Sequence, residues 1–289
     1  MIPPFDGFVA ADWSGARGKS YAGIAVAECR PGDGAPRLVM PPGRNWRRAD
    51  FVEWLAGEAA AGRRLLVGID CAFALPAPTA ETILGDPAYH VFDLWNHIDL
   101  ICAGSDDFYG GPYAEHPPHV PLFWVSGPRP IGFAELHRAT EAACRSAGLG
   151  APESPLKLLG ARQVGKGGLA GMRVLAELKR RLEDEFSVWP FDGAESARIV
   201  CVELFPRLFL RAAGHGNSKV RTLAELNRCL VRLGSLPYAG TEASLTDHES
   251  DALVAAAGLR GIAHDGAVWS PVGLDALARR AEGWIFGVP

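Results

Sequence analysis

Asp12, Asp70, Glu203, Asp247 and Asp251 are the residues of this chain best suited to chemistry, because of where each one stands. The first three close apolar runs: Phe8-Val-Ala-Ala-Asp12, Leu65-Leu-Val-Gly-Ile-Asp70 and Ile199-Val-Cys-Val-Glu203. Such a run reads as a buried strand with a charged tip, since a core strand tolerates a charge only where it reaches the sheet edge. If three of these strands lie side by side in parallel, their tips converge. Converged carboxylates repel, and a divalent cation is the usual agent that neutralises them. Asp12 and Asp70 are the strongest pair, because adjacent strands about 4.8 Å apart bring both carboxylates within reach of the same ions. The plainer alternative is that each acid caps its strand by accepting from a following loop amide. Glu203 has its own alternative, as a solvated residue at a sheet edge.

Asp247 and Asp251, four residues apart at the start of a helical segment, share one face, and His248 lies three before Asp251. The helix dipole is reason enough for Asp247. Asp251 lies beyond the first turn, ahead of the apolar run Ala252-Leu-Val-Ala-Ala-Ala257, and is expected as a metal ligand. His248, beside a capping box, also reads as an ordinary surface residue.

Other segments offer weaker chemistry. Trp13-Ser-Gly-Ala-Arg-Gly-Lys-Ser20 superficially resembles a phosphate loop, yet Trp13 stands where a glycine is needed and the following segment alternates like a strand, not a helix. Ser14, Lys19 or Ser20 are still expected to touch a substrate phosphate. Between Leu156 and Leu182 the basic residues Lys157, Arg162, Lys166, Arg173, Lys179, Arg180 and Arg181 face only one acid, Glu177. That stretch, with Arg173 and Lys179 as its named contacts, is expected either to meet a polyanion or to be a solvated helix face. His116 and His119, among prolines, read as a surface loop.

The elements that must carry these residues follow from periodicity. In the first 70 residues, apolar segments at Gly7 to Asp12 and Tyr21 to Glu28 suggest a hairpin, with a third strand at Arg37 to Met40. A helix capped by Asp50 comes next, and Leu65 to Asp70 returns as a buried strand. The middle, about residues 71 to 197, is rich in proline and histidine and reads as a mainly helical insertion, with Leu169, Met172, Leu175, Leu178 and Leu182 on one helix face. The last third alternates again: a strand at Ile199 to Phe205, a helix opened by Thr222-Leu-Ala-Glu225, and another opened by Thr246-Asp-His-Glu249. No repeat or linker divides the chain, so a single α/β domain over residues 1 to 289 is expected.

Composition agrees with that picture. The 289 residues are 48% hydrophobic and 21% charged, enough to bury a large core. No apolar run approaches the roughly 18 residues of a membrane span, and the start lacks the pattern of a secretory signal, so no membrane partner and a cytoplasmic location are expected. Six scattered cysteines, none in a CxxC pair, suit buried reduced thiols. A formal net charge of -4 gives no global field favouring nucleic acid.

Ala11-Asp12-Trp-Ser-Gly15, Val67-Gly-Ile-Asp70 with Leu75-Pro76, Val202-Glu203-Leu-Phe-Pro206 and Asp247-His-Glu-Ser-Asp251-Ala-Leu-Val-Ala-Ala256 occur in this order along the chain. Together with Leu159-Gly-Ala-Arg-Gln-Val-Gly165 and Val188-Trp-Pro-Phe191, they resemble the family called domain of unknown function 429, whose members are regarded as nucleases of the ribonuclease H-like superfamily. The resemblance implies a ribonuclease H-like mixed sheet flanked by helices. It implies an acidic site of Asp12, Asp70, Glu203 and Asp251, assisted by Asp247 or His248, holding Mg2+ or Mn2+ in a two-metal arrangement. The expected activity is hydrolysis of phosphodiesters in DNA or RNA. The alternatives are an ATP-binding phosphotransferase of the actin and sugar-kinase type, or a non-catalytic binding protein. The kinase reading lacks a second hairpin with an Asp-Gly turn, which a duplicated core requires.

Overall fold

The computed structural model describes residues 2 to 160, 163 to 216, 218 to 240 and 245 to 289, so Arg162 of the basic stretch lies outside the described residues. Its centre is one six-stranded mixed sheet in the order β3-β2-β1-β4-β6-β5. The strands are β1 (Gly7–Asp12), β2 (Ala25–Cys29), β3 (Arg37–Val39), β4 (Leu65–Ile69), β5 (Phe186–Val188) and β6 (Ile199–Glu203). β1 to β3 form an antiparallel meander, while β1, β4, β6 and β5 run parallel.

Nine α-helices among the described residues surround it: α1 (Arg48–Ala60), α2 (Ala77–Leu84), α3 (Val91–Ile101), α4 (Gly111–Glu115), α5 (Ala139–Ser146), α6 (Gly165–Leu182), α7 (Pro206–Ala212), α8 (Leu223–Arg232) and α9 (Asp247–Ile262). The period of two sorts the strand side chains between two cores. Val9, Ala11, Val67, Ile69, Ile199 and Cys201 face α1, α3 and α6. Phe8, Ala10, Leu66, Val200 and Val202 face α7, α8 and α9. The small residues Ala255 to Gly258 let α9 lie directly on β1 and β2.

Several boundaries differ from expectation. β2 begins at Ala25; Tyr21 makes only an isolated bridge to Trp46. Asp50 is not the cap of α1 but its third residue, and it accepts from the Arg47 amide. The Thr222 hydroxyl caps α8, but Glu225 accepts from the Arg221 amide, so the reciprocal half of that box is missing. Thr246 and Glu249 form the complete box at α9. Residues 71 to 197 supply α2 to α6 and also β5, a strand of three residues, too short to betray itself by alternation. All six cysteines are buried and free. Among the described residues, no helix is long and apolar enough to cross a membrane.

Candidate metal centre

Register decides which acids meet. Ala11 pairs with Ile69 across β1 and β4, so the next residues, Asp12 and Asp70, stand side by side and point to the same face, the one covered by α9. The Asp70 amide donates to the Ala11 carbonyl at 2.9 Å, which extends the ladder to the acid itself. α9 brings Asp251 and His248 over them, and His248 Nδ1 lies 2.6 Å from Asp12 Oδ2.

Glu203 pairs with Ile69, not with Asp70, and therefore takes the opposite face. There it meets a buried cation that the sequence did not signal. Arg138 donates from Nη1 to Glu203 Oε2 at 2.8 Å and from Nη2 to Oε1 at 2.5 Å, and the Phe73 amide donates to Oε2 at 3.0 Å. Arg138 is wholly buried and also binds Glu141, so burial opposes its charge but the two carboxylates outweigh it and raise its pKa. Glu203, expected to share the acidic site, is thus an ion-paired neighbour of it.

Burial pushes the Asp70 carboxyl well above the usual carboxylate range, and Asp12, Asp251 and Glu203 push it further. Asp251 is raised from an ordinary 3.8 to about 6, by burial first and then by Asp12. The hydrogen bond to Asp12 raises the pKa of His248. Asp247 points its carboxylate to Lys219, whose Nζ lies 3.5 Å from Asp247 and 3.8 Å from Asp251. Lys219, like Arg138, carried no sequence signal: it stands in a short loop between α7 and α8.

These groups line a cavity of about 600 Å³. Asp12, Asp70, His248, Asp251 and Lys219 line it together with the Glu203–Arg138–Glu141 ion pairs, and Leu204, Phe205, Pro206 and Ile285 add apolar surface. Carboxylate oxygens are the donors that Mg2+ or Mn2+ prefers. Asp12 and Asp251 both oppose the ionisation of Asp70, so this is where a cation would offset the most repulsion. Among the described residues, however, no three His, Cys, Asp or Glu side chains already surround a point as the ligands of a metal do. Binding an ion therefore requires the side chains to close in.

The other expected contacts stand elsewhere. The loop after β1 is held by Arg48, which is buried and donates to the carbonyls of Ser14 at 2.6 Å and Ala16 at 2.8 Å. That loop turns carbonyls inward to a guanidinium. Lys19 and Ser20 are exposed and do not line the cavity. Ser14 comes nearest to the site: its Oγ and His248 Nε2 each lie 3.6 Å from where a Cβ on Gly23 would stand.

Arg173 is buried, tied to Asp99 at 2.8 Å and to the Tyr109 carbonyl at 2.9 Å, and Lys179 pairs with Asp192 at 2.8 Å. Arg180 pairs with Glu177, Arg181 with Glu53 and Lys157 with Glu153. None of these cations lines the cavity. Asp99, Asp192, Glu53 and Glu153, which answer four of them, all lie outside residues 156 to 182, which is why the stretch looked unbalanced. His119 is buried, with Nδ1 2.8 Å from the Tyr113 carbonyl, so it is not the surface residue expected. Compared with known protein families, with curated proteins and with solved structures, the chain has no match.

Proposed function

We propose that the chain is a metal-dependent phosphodiester hydrolase, a nuclease acting on DNA or RNA through Mg2+ or Mn2+. The observation that carries this reading is the pairing of Asp12 with Asp70 on one sheet face, roofed by Asp251 of α9, on one side of a cavity of about 600 Å³. Carboxylates brought together at the cost of raised pKa values favour a function over mere strand capping, because capping needs no second acid.

The sheet order adds support. An antiparallel meander β1 to β3, with β4 and then β6 parallel beside β1, is the order that a ribonuclease H-like core requires. Asp12, Asp70 and Asp251 would hold the ion, which would polarise the phosphoryl oxygen and the attacking water. His248, hydrogen-bonded to Asp12, fixes that carboxylate and holds a proton at Nδ1 or gives it up. The net reaction adds one water across one P–O ester bond, leaving a phosphomonoester and an alcohol. A phosphotransferase is the weaker reading, since Ser14, Lys19 and Ser20 of the hairpin loop that would bind ATP phosphates do not line the cavity.

The test is cleavage of end-labelled single-stranded DNA and RNA with Mn2+ or with chelator. Cleavage that needs the ion and is lost in both Asp12→Asn and Asp70→Asn supports the proposal. A folded wild type that cleaves neither polymer refutes it.

A further inference from the structure

We propose that Lys219 supplies the charge of a second cation, so that this site takes one divalent ion and not two. The inference rests on the hydrolase reading and changes its stoichiometry. Two-metal sites hold ions only about 3.5 to 4 Å apart, and they need carboxylates to neutralise both. Here most of the candidate carboxylates are already answered by the chain itself. Arg138 takes both oxygens of Glu203 at the edge of the same cavity. His248 holds Asp12 at 2.6 Å. The Lys219 ammonium lies between Asp247 and Asp251, at 3.5 and 3.8 Å, where a second ion would seek its ligands. Among the described residues, Asp70 alone of the five acids has no basic partner.

The place where a cation would be least opposed is therefore beside Asp70 and Asp12. A second dication on the α9 side would have to displace the ammonium or sit against it, like charge beside like charge. Lys219 lines the cavity, and its ammonium is a compact point charge with three donors, suited to a phosphate oxygen. With one ion at Asp70 and Asp12, the ammonium would supply a second positive centre for one phosphodiester. The arrangement differs from a two-metal site in that one of those centres is covalently attached.

Counting bound Mn2+ by electron paramagnetic resonance on the purified full chain tests this. Wild type and Lys219→Arg are expected to bind one ion per chain, with an isolated-ion spectrum. Lys219→Met is expected to bind two, with the spectral broadening of neighbouring ions. Lys219 is half-exposed on a loop, and circular dichroism confirms that each variant folds. Two ions in wild type, or one ion in both wild type and Lys219→Met, overturns the inference and leaves the hydrolase reading standing. No ion in wild type overturns the hydrolase reading itself.

Discussion

At the scale of single residues, the acids differ by the face they occupy and the partner they meet. Asp70 has no basic partner among the described residues, so Asp70→Asn removes a carboxyl whose ionisation burial and its acidic neighbours oppose. Its metal-free melting midpoint is expected to rise, by roughly 2–4 °C for each 1 kcal/mol gained, while the extra stabilisation by Mn2+ disappears. Unchanged melting in both conditions would mark Asp70 as a solvated strand cap. Asp251 gives a pH signature. Its pKa is higher in the fold than in the unfolded chain, so the fold binds its proton more tightly. The stability this confers is present below about pH 4 and is lost as pH rises through about 6, a fall of about 3 kcal/mol at most. His248, also raised, loses its contribution in the same upward direction. Urea denaturation of metal-free protein from pH 4 to 7 should show wild type losing more stability than Asp251→Asn; equal losses would contradict the assigned burial.

At the scale of elements, the sequence carried the strands well and their register poorly. Apolar runs closed by acids located β1, β4 and β6, since burial on both faces leaves an unmistakable composition. Which acids share a face depends on pairing, and a shift of one residue reverses the answer. That is why Asp12 and Asp70 meet while Glu203, one step out of phase, turns to Arg138. Arg138 itself is an arginine in a capping position, where propensity gives no reason to expect it. Arg138→Met is expected to cost about 3–5 kcal/mol in urea denaturation, because it strands two buried carboxylates, and adding Glu203→Gln should return part of it. A loss below 1 kcal/mol would show that the network is dispensable. Gly15 records another tertiary constraint: a Cβ there would run into the backbone of Lys166 and Gly167 at the start of α6. Gly15→Ala should therefore cost about 1–3 kcal/mol, measured by the same denaturation.

At the scale of the whole molecule, charge balance is made by long-range pairs. Arg181 reaches Glu53 on α1, and Lys179 reaches Asp192 beyond β5. A count along the sequence sees the cations of α6 together and misses the acids that fold against them. Substituting Arg180 and Arg181 by Gln should accordingly leave the salt dependence of oligonucleotide binding unchanged to within one phosphate contact, a log-log slope of ~0.7 to 0.9. A larger flattening would restore that face as a binding surface. The central claim is that the paired acids at the ends of β1 and β4 hold a divalent ion, and crystals soaked in Mn2+ test it most directly. The account expects an anomalous peak within coordination distance of the Asp12 and Asp70 carboxylates, with Asp251 turned toward it. Soaked crystals with those carboxylates ordered and no peak between them would contradict it.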